Sequence, residues 1–355
     1  MITIFLTKIL EFIEKIAAKR TWLVSLMVLF LIVIITNGLS FLPYPKYQLL
    51  SNDPFIERQE TILLPLLAYI TNLNSPVNFT GLCSFIILCA YSVFVFFSKR
   101  GHSVFLTIFF STILFTNPIS TILLSWIGSP DGLTFLLTIP FLFVSSPFLF
   151  IILAFLGTTN HITLIFAVIE IVILRLLSRE KLRVNHLVLV IMGCALGLFI
   201  VKIFAAGGFS RFDFIVSRSF SSWIDHNLSQ LPLTLFSLFN IQWLILISCL
   251  VKFFKKDKKY YVFVLLFVLF NYGISFFSLD TTRIFSLVSW GIFIHCVFHS
   301  YELSQKLDPP QKKKQFQLFL IVIILLSLVL PRFFSWEGVI ILSPFHESLA
   351  RILNF

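Results

Sequence analysis

The sequence predicts an all-α integral membrane protein, a single helical bundle that crosses the bilayer about eleven times. Of its 355 residues, 58% are hydrophobic and 12% are charged, whereas about a quarter of the residues of a soluble domain are charged. Apolar runs of roughly 17 to 25 residues, the length of a membrane-crossing helix, recur from end to end. Alternating ten-residue strands, typical of a membrane β-barrel, are not found in the sequence. A bundle of helices is therefore expected.

The apolar runs and the polar breaks between them place the predicted spans in one transmembrane domain, 1–355. They fall near residues 22–41, 76–97, 103–126, 131–145, 148–158, 162–177, 185–204, 231–251, 260–277, 284–299 and 316–334. The two shortest, around Pro140 and Pro147, could form a broken pair that does not cross fully. Segment 1–21 is predicted to be a cytoplasmic juxtamembrane segment. The segment 42–75 would be the first outer loop with an interfacial helix, and 205–230 a long, mobile outer loop.

The distribution of basic residues predicts how the chain is oriented in the membrane. Of the 27 lysines and arginines, all but eight fall on one side if the N-terminus is cytoplasmic, and those eight are Lys46, Arg58, Lys202, Arg211, Arg218, Arg283, Arg332 and Arg351. The positive-inside rule therefore predicts a cytoplasmic N-terminus and an extracytoplasmic C-terminus. The net charge of +11 is explained by topology, so nucleic acid is not an expected partner. A bacterial inner membrane is the expected location, with the endoplasmic reticulum left open.

The sequence lacks the motifs of several kinds of functional site. The five cysteines lie inside apolar runs without a CxxC pair, as small core residues do. HExxH and GxSxG motifs, a phosphate-cradling glycine loop and an internal repeat are also absent. The absence of a repeat makes a secondary transporter less expected. No metal-binding residue is predicted.

The first outer loop carries the candidate catalytic residue. Asp53, Glu57 and Glu60 recur at i, i+4 and i+7, so a helix beginning near Pro54 would stack three carboxylates on one face. These acids could keep an interfacial helix hydrated. Alternatively, one of them is a general base or a metal-holding acid near an outer substrate. Asp53 is favoured because it lies beside the turn residues Asn52 and Pro54.

Two further candidate positions follow in predicted outer turns. Asp131 lies in a Gly-Ser-Pro-Asp-Gly turn, where an acid also suits the start of a helix. Asn160 and His161 lie at the mouth of the next hairpin. His161 could be a satisfied polar residue or part of a proton network, since histidine titrates near neutrality.

Arginines and one buried acid complete the candidates. Asp280 and Arg283 at i, i+3 could form a simple ion pair, or the arginine could bind a lipid phosphate in a bidentate manner. Arg211 and Arg218 in the long loop are further candidates for binding anions. Glu170 is the acid predicted deep within a span. It could be functional, it could neutralise Arg175, or it could form a hydrogen bond across helices.

Three stretches carry a family resemblance. They are DPFIERQETILLPLLAYI (53–70), GSPDGLTFLL (128–137), which an Asn-His turn follows, and DTTRIF (280–285). Together with the span count and the acidic first outer loop, they resemble the polytopic GT-C glycosyltransferase superfamily. The motifs cover about forty residues, whereas the topology covers most of the chain.

The resemblance implies a polyprenyl-phosphate-linked sugar as donor and a glycan or lipid as acceptor, with membrane lipids as surroundings. Asp53 would deprotonate the acceptor hydroxyl for an inverting transfer. Arg283, with Arg58, Arg211 or Arg218, would stabilise the departing phosphate. Asp131 and His161 would orient the acceptor, and the other substrate-binding candidates are Glu57, Asn160 and Asp280. No cofactor is certain; a divalent cation stays open, since the first loop lacks an Asp-x-Asp pair.

Other functions stay open from the sequence. A lipid-linked glycan polymerase or ligase would share donor and topology, but would depend on Arg211 and Arg218 rather than on Asp53. A non-enzymatic transporter or flippase would depend on Glu170 and on the proline-broken hairpin. A structural membrane subunit is a further alternative.

Overall fold

The computed structural model describes residues 11, 22–41, 61–180, 182–204, 217, 220–278, 280–336 and 339–352. The structural statements that follow concern these residues. Five of the predicted site residues lie outside them, namely Asp53, Glu57, Arg58, Arg211 and Arg218. The proposed stacking of three carboxylates in the first loop lies outside them as well.

The chain folds into helices joined by short breaks. The first half contains α1 (Trp22–Asn37), α2 (Leu63–Ile70), α3 (Pro76–Gly101), α4 (Val104–Phe115), α5 (Pro118–Ser125), α6 (Asp131–Thr138), α7 (Pro140–Phe143), α8 (Pro147–Asn160) and α9 (Leu164–Leu177). The second half contains α10 (Val184–Phe204), α11 (Phe220–Ser229), α12 (Leu231–Phe239), α13 (Trp243–Phe253), α14 (Lys258–Phe276), α15 (Thr281–Leu307), α16 (Pro310–Val329), strands β1 (Phe333–Trp336) and β2 (Val339–Leu342), and α17 (Pro344–Ile352).

The all-α membrane fold is confirmed. Within the described ranges, five helical segments are long and apolar enough to cross a bilayer, namely α3, α10, α12 with α13, α14 and α15. The count becomes six if α4 and α5, bent by 58° at their break, form one span. Helices overlap all eleven predicted intervals, although α1, α6 with α7, α8 and α9 are shorter than 18 residues.

Side-chain caps explain why several helices begin where they do. Ser75 accepts a hydrogen bond from the backbone N–H of Asn78 (3.3 Å), and Ser103 accepts one from Leu106 (3.3 Å). Asn117 does the same for the N–H of Ile119 at 3.1 Å. Such caps satisfy backbone donors that have no partner within the helix. Polar residues in the breaks between apolar runs therefore set the helix starts.

Helix α15 is the axis of the bundle. Of its most apolar stretch, 94% is buried inside the protein, against 22% for α10. It packs on α9, α13 and α14, and on α5 near its start. Its residues Arg283, Ser289 and His295 are thereby held inside the protein at successive depths, away from lipid.

Helices α8 and α10 approach closely through a GxxxG motif that the sequence analysis missed. A Cβ atom on Gly193 would lie 2.4 Å from the carbonyl oxygen of Ile151, and one on Gly197 would lie 2.8 Å from that of Phe155. Both distances are far below van der Waals contact. Glycine at both positions lets the two backbones touch, which is a common way of packing membrane helices.

Three segments differ from the sequence prediction. The last predicted span, 316–334, ends at Val329, because Pro331 disfavours helical geometry in the residue before it. The antiparallel hairpin β1–β2 and helix α17 follow. In the predicted long loop 205–230, residues 220–229 form α11, and its Trp223 is buried.

The described part of the first loop is packed more deeply than an interfacial helix would be. Helix α2 begins at Leu63, so Ile62 is not in the helix. The N–H of Ile62 donates to the carbonyl of Thr159 at 2.9 Å, and Leu64 and Ala68 are buried. Tyr69 and Ile70 are exposed. The segment therefore docks on α8 and exposes its C-terminal end.

Candidate functional site

A buried ion pair joins two segments that are 152 residues apart. Arg283 Nε donates to Asp131 Oδ2 at 2.6 Å, and Arg283 Nη2 donates to Asp131 Oδ1 at 2.9 Å. The Asp131 side chain is 0% exposed and that of Arg283 is 13% exposed. This parallel, two-point geometry is the strong form of an arginine–carboxylate contact. It occurs where the first turns of α6 and α15 meet.

The loop before α6 is built to aim Asp131 inward. Gly128 has a φ of 110°, a conformation that side chains with a Cβ rarely adopt. Ser129 Oγ then accepts a hydrogen bond from the N–H of Asp131 at 3.3 Å. The carboxylate lies in the first turn of α6, where the positive end of the helix dipole favours an anion.

The remaining contacts of Arg283 complete a compact cluster. Its guanidinium lies 4.4 Å from the ring centre of Trp126, a cation–π distance. Its Nη1 lies 3.7 Å from Asp280 Oδ2. The predicted ion pair of Asp280 with Arg283 is therefore present, but its atoms are farther apart than in a hydrogen bond. Asp131 is the closer partner of Arg283. Two of the three guanidinium nitrogens are occupied by Asp131.

The hairpin fixes the start of α15. Ser335 in β1 accepts a hydrogen bond from the N–H of Thr282 at 3.0 Å, and the two hydroxyls lie 2.6 Å apart. Thr282 is the residue before Arg283. The C-terminal segment therefore positions the arginine.

Asn160 and His161 also reach this region. Asn160 Nδ2 donates to the carbonyl of Pro130 at 2.9 Å and to Thr134 Oγ1 at 3.0 Å, while its Oδ1 has no hydrogen-bond partner. The ring of His161 is buried, with Nδ1 2.6 Å from Thr163 Oγ1. Asn160 thus braces the turn that carries Asp131.

Comparisons with protein families, curated proteins and solved structures found no match. Across the described residues, no group of three or more His, Cys, Asp or Glu is placed to hold a metal ion. Asp131, Asp280 and Arg283 lie at one end of the bundle, called here the Arg283 end.

A second buried arginine lies at the Arg283 end, and the sequence analysis did not single it out. Arg332 is 3% exposed and follows α16. Its Nη2 donates to Thr36 Oγ1 and to the carbonyl of Ser327, both at 3.2 Å, whereas Nη1 has no hydrogen-bond partner. A buried unsatisfied donor is rare and costly, and on a cation more so. Arg332 therefore has an unused hydrogen-bond donor at this end of the bundle.

Burial lowers the pKa of the Arg332 guanidinium to about 10, and nearby Tyr91 opposes the shift. The group stays cationic at neutral pH. The signal available in the sequence was Pro331-Arg332 directly after an apolar run, which resembles any charged stop after a span. Only its burial in the structure distinguishes Arg332 from an exposed arginine at the end of a span.

Glu170 lies deep in the bundle, but it does not neutralise Arg175. Asn271 Nδ2 donates to Glu170 Oε2 at 2.8 Å and to Ser289 Oγ at 3.1 Å. Arg175 Nε instead donates to Glu180 Oε2 at 2.6 Å. Residues five apart on a helix point to different sides, so the predicted pairing with Arg175 was wrong. The alternative of a hydrogen bond across helices is confirmed by the contact with Asn271.

Proposed function

We propose that this protein is a membrane glycosyltransferase that moves a sugar from a polyprenyl-phosphate donor to a glycan or lipid acceptor. The observation that carries the proposal is the buried ion pair of Asp131 and Arg283, with Arg332 buried at the same end. Charges placed so deeply in an apolar bundle are costly. Binding of an anionic headgroup whose tail stays in lipid would offset this cost.

The proposed topology has eleven spans, with the N-terminus cytoplasmic and the Arg283 end outside. The GT-C resemblance gives Asp53 the role of base. It takes the acceptor hydroxyl proton while the acceptor oxygen bonds to the anomeric carbon. The bond from that carbon to the phosphate oxygen breaks, and its electron pair stays on the phosphate. Cations beside this oxygen lower the barrier because its charge grows in the transition state.

Two arginines take different parts in this proposal. Arg332 has a nitrogen without a partner, so it is the better candidate to contact the leaving phosphate. Two of the three guanidinium nitrogens of Arg283 are bound to Asp131, so Arg283 holds the turn that carries Asp131. Its positive charge adds to the electrostatic potential at the phosphate. Asp131, Asn160 and Asp280 then act mainly as positioning residues for the acceptor side.

The test uses the purified full chain in nanodiscs with a panel of polyprenyl-phosphate sugars and measures release of polyprenyl phosphate. We expect turnover with at least one donor. Asp53→Asn should abolish it, and Arg332→Gln should lower it about 100-fold or more, the loss typical of one transition-state donor. Arg351→Gln is the matched control, since Arg351 is exposed at the same end.

Failure of every donor, or full activity in Asp53→Asn, would contradict the transferase. Loss of turnover in variants of Arg211 or Arg218, with Asp53→Asn active, would favour the lipid-linked glycan polymerase or ligase.

A transporter or flippase is the second candidate, because Glu170 is a buried acid with Oε1 lacking a hydrogen-bond partner. Intramembrane carboxyls commonly serve transport. In that case Glu170→Gln should stop the movement of a fluorescent polyprenyl-phosphate probe across proteoliposome membranes, while Asp53→Asn has no effect. The transferase requires the opposite pattern.

A further inference from the structure

A basic groove lies at the opposite end of the bundle from Arg283, between α13 and α16. Its volume is about 460 Å³, within the range of small-molecule sites. Lys252 and Lys312 line it together with apolar side chains that include Ile247, Val251 and Phe319. Helix α13 runs toward the lysines and α16 runs away from them, so polar and apolar ends of the groove are separate.

The lysines at this end outnumber their acidic partners. Lys252 and Lys256 share one carboxylate, with Nζ to Asp308 oxygen distances of 2.7 and 3.0 Å. Burial alone would raise the pKa of Asp308, but hydrogen bonds from Lys252, Ser304 and Lys256 lower it well below 3.8. Asp308 therefore stays ionised and neutralises one lysine, which leaves one positive charge in excess at the groove.

The start of α16 adds to this excess. Lys312, Lys313 and Lys314 follow Pro310 at the beginning of the helix, and its first turn holds no acid. Cations are unfavourable there, because the helix dipole already makes that end positive. The positive-inside rule places lysines at this end of the bundle but does not remove their repulsion. An external anion would remove the repulsion.

The walls of the groove are apolar and face outward. Val251 is 78% exposed, and Ile247 and Lys312 are exposed too. On a helix with the composition of a membrane span, such exposed side chains are in contact with lipid. The groove therefore combines cations at one end with apolar side chains along the rest, as an anionic headgroup with a hydrocarbon chain requires.

We propose that this groove binds one anionic phospholipid, with its phosphate between Lys252 and Lys312 and an acyl chain along Ile247, Val251 and Phe319. Basic pockets between membrane helices bind such headgroups by the same combination of charge and hydrocarbon. The site lies at the other end of the bundle from the Arg283 cluster. It does not depend on the transferase.

The experiment measures lipid retention by native mass spectrometry of the full chain, delipidated in detergent and given dioleoyl phosphatidylglycerol or dioleoyl phosphatidylcholine. We expect phosphatidylglycerol to be retained in preference to phosphatidylcholine, at one per protein. Lys312→Gln should weaken its binding roughly fivefold, the effect of one surface cation on an anionic lipid. Lys314→Gln is the matched control, since Lys314 lies outside the groove.

A second variant tests the groove itself. Ser248→Trp fills the groove without changing charge, and it should also reduce retention of phosphatidylglycerol. Equal retention of the two lipids would overturn the proposal. So would an equal loss in Lys312→Gln and Lys314→Gln, which would indicate a diffuse surface charge. Unchanged binding in Ser248→Trp would place the lipid elsewhere.

Discussion

Removing one member of the Asp131–Arg283 pair should cost far more stability than removing an exposed pair of the same chemistry. Asp131→Asn leaves a buried guanidinium without its two-point partner. Breaking a buried pair in this way costs about 3 to 5 kcal/mol. Arg283 keeps Trp126 and a distant Asp280, and 13% of its side chain is exposed. We therefore expect a loss in free energy of unfolding of about 3 kcal/mol, the low end of that range.

Arg283→Gln should cost more, about 4 kcal/mol, because it leaves a fully buried carboxylate. The double variant leaves two neutral amides, so its loss should be smaller than the sum of the single losses. We expect a coupling energy of about 2 to 3 kcal/mol, the upper range for residues in direct contact.

The assay is equilibrium unfolding of the purified chain in mixed micelles with increasing dodecyl sulfate, followed by far-ultraviolet circular dichroism. Arg351 and Glu347 provide the matched control pair. Their Nη2–Oε1 distance is 2.6 Å, but the side chains are 78% and 48% exposed. That pair should couple by about 0.5 kcal/mol or less. If the Asp131–Arg283 cycle gave no more than the control, the buried pair would not have the energetic role inferred for it.

Gly193→Ala should destabilise the protein by about 1 to 3 kcal/mol, as overpacking does. Gly273→Ala, with open space around its Cβ position, should be neutral or stabilising in the same dodecyl sulfate unfolding assay. Because the pKa of Asp308 is lowered on folding, its stabilisation is complete above about pH 5 and is lost as pH falls below about 4. Asp308→Asn should reduce the fall of the unfolding temperature at acid pH. An unchanged fall would refute the assignment of this stabilisation to Asp308. Thr282→Val should cost about 1 to 3 kcal/mol because it removes the hydroxyl that Ser335 pairs with, while the backbone N–H of residue 282 still donates to Ser335 Oγ. Equal stability to the wild type would show that this hydroxyl does not help the hairpin to anchor α15.

Much of the site depends on contacts that the sequence does not reveal. Asp131 and Arg283 were both candidates, but each had a local explanation, a helix start for one and an i, i+3 partner for the other. Their pairing across 152 residues carries no local pattern. Arg332 was missed for the same reason, since buried and exposed arginines look identical after an apolar run.

The sequence by itself determined the class of the protein. Hydrophobic length and low charge require helices in a bilayer, because backbone groups in hydrocarbon must pair within their own segment. Local side chains also set many helix starts, as at Ser75 and Asn117. These outcomes depend on neighbours along the chain. The tertiary structure decided which helix is central, which glycines meet a carbonyl and which carboxylate holds Arg283. Those outcomes depend on packing between distant segments, and each polar group buried there must find a partner wherever the bundle brings one.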